Sequence, residues 1–138
     1  MKNIILTLLL FVSTIAYSQK YETVYQVQSG KYNSYSKLWT WSEPLDRELT
    51  ITLDGSVVSI SNNANTVLKM YEDLGEKHDF DKDGDEYKSH TWRATDEKYR
   101  KCLFMMTFYQ NLPIIVYSVI YNDYGFRFYI RNNKLSNF

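Results

Sequence analysis

One cysteine, Cys102, is all that 138 residues contain, so an intramolecular disulfide is excluded and any core must hold without a covalent staple. Within "KCLFMMTFY" that cysteine sits among alternating apolar residues, the setting of a buried, inert thiol. Net charge is also missing: 16 basic and 16 acidic side chains cancel, which leaves no bulk electrostatic case for nucleic acid. Lys98, Arg100 and Lys101 form only a small basic patch. There is no Gly-rich phosphate loop, no serine elbow and no histidine near a plausible serine. Without a nucleophile, a base and an orienting group in a recognisable frame, the expectation is a non-catalytic protein.

A long apolar run is lacking as well. The opening "MKNIILTLLLFVSTIAYSQ" places basic Lys2 before an apolar stretch from Ile4 to Ala16, shorter than the roughly 20 residues a spanning helix needs. Small residues at Ala16 and Ser18 have the spacing that signal peptidase reads. The expectation is a signal peptide over 1–18, cleaved after Ser18, and a secreted or periplasmic chain with no permanent membrane span. No cysteine lies near that point to accept a lipid. Residues 19–138 then form a single β domain, long enough to bury a core. Loss of Lys2 leaves its charge near neutral.

What is abundant points to strands. Segments rich in Tyr, Val, Ile, Thr and Phe alternate with clusters of Asn, Asp and Gly, the punctuation of an antiparallel β protein. In "ELTITLDGSVVSIS", Leu49, Ile51 and Leu53 alternate with Glu48, Thr50 and Thr52, and Asp54-Gly55 predicts a two-residue turn. "NNAN" at 62–65 ends the returning strand. In "RKCLFMMTFY", Cys102, Phe104, Met106 and Phe108 share an apolar face. Pro113 lacks a donor and marks a strand start. "IIVYSVIY" is apolar on both faces, as for a strand covered on both sides, while Phe126, Phe128 and Ile130 alternate with Arg127, Tyr129 and Arg131. With "YETVYQV" and "KLWTW" this makes about eight or nine strands in an antiparallel meander. The sheet is expected to curl, as a lipocalin-like half or full barrel, with a sandwich as the alternative. The tail "NNKLSNF" reads as frayed.

The strongest local anomaly is acidic. Glu72, Asp73, Glu76, Asp79, Asp81, Asp83, Asp85 and Glu86 put half of the acidic residues into fifteen positions. With Asp79 as position 1 of a calcium loop, Asp81, Asp83 and Asp85 fall on positions 3, 5 and 7 and Gly84 on 6. Position 12 is His90, where a bidentate glutamate belongs, and the flanks read as strands. The stretch is therefore expected to be an acid-rich, mobile hairpin loop, with a weak calcium site at Asp79, Asp81, Asp83 and Asp85 as the alternative and no other cofactor. His78 and His90 flank it; with Asp79 they form a minimal zinc set, unsupported by any Cys/His pattern.

Trp39 and Trp41 lie two apart and share a face. Core packing is the ordinary outcome for such a pair; the alternative is a ligand or partner patch built with Tyr32 and Tyr35. Tyr21, Tyr25, Tyr32 and Tyr35 cluster near the expected mature N-terminus and, if exposed, offer a contact for a protein or glycan.

The second half, "DKDGDEYKSHTWRATDEKYRKCLFMMTFYQNLPIIVYSVIYNDYGFRFYI", carries an acidic loop, a "TW" strand followed by a D-E turn, a strand with one cysteine and a closing aromatic hairpin. In these features it resembles a loose group of small secreted bacterial proteins. The resemblance implies a secreted β-meander and no particular activity. The function expected is an exported binding domain for a small ligand or glycan at the cell envelope or outside the cell. The alternative is a protein-interaction or inhibitor domain acting through a strand edge or the acidic loop, with calcium modulating it.

Overall fold

The computed structural model describes residues 19–61 and 66–132; the expected leader 1–18, the predicted break at 62–65 and the tail from 133 lie outside the described residues. Among the described residues the chain is all-β, with nine strands and no helix. In order they are β1 (Gln19–Asn33), β2 (Leu38–Trp41), β3 (Leu45–Asp54), β4 (Val57–Ser61), β5 (Thr66–Phe80), β6 (Glu86–Thr95), β7 (Lys101–Tyr109), β8 (Ile114–Ile120) and β9 (Tyr124–Arg131).

All pairings are antiparallel and belong to one sheet, in the order β2-β1-β3-β4-β5-β6-β7-β8-β9, and β9 pairs back onto β1. The sheet is thus ring-like. β1 makes this possible by its length: Val24 and Val27 pair with both β3 and β9, and Gly30 and Lys31 pair with both β2 and β9. β2 and β3 therefore lie end to end along one edge of β1, with β9 on the other. They are one strand interrupted at Pro44, which has no N–H to give; on either side the ladder continues, with Ser42 N–H bonding Ser29 O at 2.8 Å.

The alternating apolar residues meet inside the ring. Val24, Ile51, Val58, Leu68, Phe104 and Tyr117 are its most buried large side chains, and Phe104 meets Tyr117 edge-on at 5.7 Å. Removing such side chains from water contributes about 1.5–3 kcal/mol each, the driving force that replaces a disulfide here. β8 is buried on both faces, as its sequence predicts: Ile115, Tyr117 and Val119 belong to the core, while Val116 and Ser118 are covered on the outside.

Two local expectations need correction. The β3–β4 turn is Gly55-Ser56, because Asp54 pairs with Val57. Gly55 takes φ 59°, and its place at the first central position is that of a II′ turn, in which a glycine avoids the left-handed penalty. The acidic stretch, in turn, is mostly strand. β5 runs through it to Phe80, and only Asp81–Asp85 form the turn. Cross-strand cations offset its charge: Lys88 lies 3.3 Å from Glu76 and Arg93 lies 3.1 Å from Glu72. Register shifts leave Tyr71 and Leu74 unpaired as bulges, the second beside Gly75 at φ 90°.

A candidate ligand cavity at one end of the ring

One end of the ring opens into a cavity of about 310 Å³. Its wall comes from Val27 of β1, Leu49 of β3, Ile60 of β4, Thr66 of β5, Val119 of β8, and Phe126 and Phe128 of β9. Tyr121, Tyr124, Arg47 and Arg100 stand at its mouth.

The mouth is ordered by one carboxylate. Asp96 begins the turn between β6 and β7 and is 8% exposed. Its Oδ1 accepts the backbone N–H groups of Lys98 and Arg100, both at 2.9 Å. Its Oδ2 accepts Arg100 Nε at 2.8 Å and the Tyr121 hydroxyl at 2.9 Å. Burial pushes the Asp96 carboxyl up, but the bonds from the Arg100 N–H, the Tyr121 hydroxyl, the Arg100 guanidinium and the Lys98 N–H together hold it below the ordinary value of 3.8. These bonds also support Tyr99 at φ 60°. Arg100 in turn lies 5.3 Å from the Tyr121 ring centroid, and Tyr121 stacks on Tyr124 at 4.6 Å.

Two interior groups lie deeper. Cys102 is buried, and its thiol is pushed up to about 11, first by burial and then by the charge of Asp96; it is no ready nucleophile at neutral pH. The Tyr117 hydroxyl is fully buried with no hydrogen-bond partner among the described residues. Burial, and secondarily the charge of Glu22, raise its ionisation well above the ordinary phenol value.

The residues singled out by sequence lie elsewhere. Asp81, Asp83 and Asp85 present oxygens within 4.8 Å of one another. Asp79 is separate, its carboxylate 3.2 Å from Lys77 Nζ, and His90, at the twelfth position, is bonded to Asp73 at 2.6 Å and stacked on Trp92 at 4.0 Å. The four-aspartate set is therefore not assembled. Asp81 instead caps the turn: its Oδ1 accepts the N–H groups of Asp83 and Asp85, both at 2.9 Å, and Gly84 supplies φ 83°. The zinc set fails too. His78 pairs in register with Lys88, and His90 with Glu76; Asp79, next to His78 along the strand, points to the opposite face.

Trp39 and Trp41 are not core residues, contrary to the ordinary expectation. They stack at 5.5 Å on the outside, and Tyr32 joins Trp39 at 5.5 Å. The Trp41 ring lies against Gly30, where a Cβ would come within 2.6 Å of it, and the Arg127 guanidinium sits 3.7 Å from its centroid. Trp41 is thus engaged by its own fold. With Arg127 and Tyr129 it borders an open groove over Val116 and Ser118, which explains the burial of β8's outer face. Tyr35 stands apart in the β1–β2 turn, 98% exposed. The four N-terminal tyrosines do not cluster either: Tyr21 and Tyr32 are separated along β1 by about 36 Å at the usual strand rise.

Asp96, Arg47 and the Tyr121–Tyr124 pair were not singled out by sequence as site residues. The available signal was local: an aspartate followed at two and four residues by Lys98 and Arg100 is an Asx-type turn. What placed these groups at one mouth was closure of the ring. No protein family matches this chain, nor does any curated protein or solved structure.

Proposed function

We propose that the protein is a non-catalytic binding domain that takes a small, largely apolar ligand into the cavity at the end of the ring. The observation that carries this reading is the cavity itself. At about 310 Å³ it has the volume of a small-molecule site, and its mostly apolar wall, interrupted by Thr66, ends in a few convergent polar groups. The signal-like opening over 1–18 supports an exported protein acting at the envelope or outside the cell, a point checked by N-terminal sequencing of the exported chain.

The test is fluorescence titration with the neutral probe 1-N-phenylnaphthylamine, whose naphthyl unit of about ten carbons matches the cavity while its phenyl group lies in the open mouth. Emission is expected to rise on binding and to stay low in a Val27→Phe variant, whose added ring fills the mouth. A wild-type protein that leaves the probe dark, or a variant that binds it equally well, refutes the reading.

A second reading, a protein partner added along a strand edge, is favoured by β2. Among the described residues its outer edge carries no strand, and Leu38 beside it is 65% exposed. Loss of a captured partner on Thr40→Pro, with an unchanged melt, supports this second role; retention of the partner refutes it.

A further inference from the structure

We infer that the cavity's ligand is a single-chain amphiphile whose anionic head lies between Arg47 and Arg100 and whose tail runs inward among Leu49, Ile60 and Phe128. The inference rests on the ligand-binding reading above and adds the chemistry of the ligand.

The first argument is the distribution of charge. Two guanidinium groups line the cavity, and no carboxylate does. Arg47 forms no ion pair among the described residues. Its chain neighbours Asp46 and Glu48 project to the opposite face of β3, as strand alternation requires, and Asp46 accepts the Gln26 side-chain amide at 3.0 Å. Arg47 also borders an open groove lined by Glu22, Asp46 and Glu48, but on the cavity side no carboxylate stands beside it.

The second argument is that the carboxylate holding Arg100 is fully used. An ionised aspartate offers about four lone-pair sites, and Asp96 receives four donors. It has nothing left for Arg47 or for a cationic ligand. Its hold on Arg100 runs through Nε alone, one of the five N–H donors of a guanidinium. The contact is side-on, not the two-pronged fork that would occupy the terminal amino groups. Asp96 thus fixes the direction of Arg100 while leaving most of its donors to a second anion. Tyr121, bonded to the same carboxylate and stacked on Tyr124, makes that side of the mouth stiff. A preorganised guanidinium binds an anion with less loss of side-chain freedom than a mobile one.

The third argument is size. At roughly 30 Å³ for each non-hydrogen atom, near the share of one water in the liquid, 310 Å³ holds about ten of them. That matches a medium-length alkyl chain and is too small for a two-chain lipid. Beyond the mouth the wall is hydrocarbon and aromatic apart from Thr66, so a wholly polar anion would leave most of it uncovered.

The test is calorimetric titration of the full chain, at neutral pH, with decanoate, 1-decanol and decylammonium. These share a tail and differ in the head. Decanoate is expected to bind about tenfold tighter than decanol, and decylammonium more weakly than either. Arg47→Gln, an exposed change that leaves the fold intact, is expected to lower decanoate affinity about fivefold to tenfold without changing decanol, less than a buried charge-assisted hydrogen bond would give because Arg47 is open to solvent. Arg100→Gln should act likewise where circular dichroism shows it folded. Equal binding of decanoate and decanol, or an Arg47→Gln variant that binds decanoate as before, overturns the anionic head while leaving the cavity reading standing. Failure of all three to bind overturns both. Anionic phospholipid vesicles distinguish a membrane source from a free one: vesicle binding that decanoate does not displace counts against a free amphiphile and overturns the assignment.

Discussion

Replacing Asp96 by asparagine tests whether one carboxylate orders the mouth. The amide oxygen of Asn can still accept the N–H groups of Lys98 and Arg100. Its NH₂ group, however, would face Arg100 Nε–H, donor against donor, where a charge-assisted bond of 2.8 Å now stands. A bond of that kind contributes about 1.5–3 kcal/mol, and the conflict left at a buried position adds to the loss, for a total of about 3 kcal/mol. In a domain of this size each kcal/mol moves the melting temperature by about 4 °C, so the variant should melt about 10 °C lower by scanning calorimetry at neutral pH. The pH dependence has a fixed sign. The folded-state pKa of Asp96 lies below 3.8, so its contribution is complete above that value and is lost as pH falls through the lowered one. The gap between wild type and variant should therefore narrow only in strong acid. A gap under about 2 °C at neutral pH, or one that stays constant down to about pH 2, would refute the assignment.

Tyr117→Phe removes a buried hydroxyl that has no partner, and the expected result is a more stable protein, by about 1 kcal/mol, read as a rise of about 4 °C in melting temperature. Gly30→Ala places a methyl group within 2.6 Å of the Trp41 ring; it should cost about 1–2 kcal/mol and red-shift tryptophan emission as the ring lifts. In a Trp41→Ala background the same change should cost less, and equal costs in both backgrounds would show that the two residues do not press on each other. Asp81→Ala leaves the Asp83 and Asp85 N–H groups without their acceptor, so hydrogen exchange at those amides should quicken while the global melt moves by no more than about 1 kcal/mol.

The fold was largely legible because a strand with one buried face writes a period of two into its residues. Leu49, Ile51 and Leu53, then Cys102, Phe104, Met106 and Phe108, announce both strand and inward face. The same logic fails where the period breaks. Between Met70 and Glu76 two bulges insert unpaired residues, and the acids that alternate so regularly afterwards suggested a loop where most of the stretch is strand. The Asp79–Asp85 pattern is itself divided by the turn: Asp79 ends in the ladder opposite Tyr87 with its carboxylate beside Lys77, while Asp81 caps the N–H groups of Asp83 and Asp85. Trp39 and Trp41 misled for another reason. Their shared face was legible, but which side of the sheet it occupies depends on Gly30, whose missing side chain makes room for an indole outside the ring. The cavity was least legible of all. Arg47 and Arg100 are 53 positions apart, and only the pairing of β9 with β1 makes them neighbours of one opening.

That pairing has a kinetic meaning. Val24 finds Ile130, and Gly30 finds Gly125, across about a hundred intervening residues, so the seam is the contact with the greatest loop entropy to overcome, and proteins dominated by such contacts fold in milliseconds to seconds. A chain released strand by strand exposes one edge of β1 until its last strand has been made. During that interval the growing polypeptide offers neighbours a template for intermolecular pairing. Shortening it by a single terminal strand would not trim the molecule but unzip it, removing in one step the partner of its first strand and the aromatic wall of its interior.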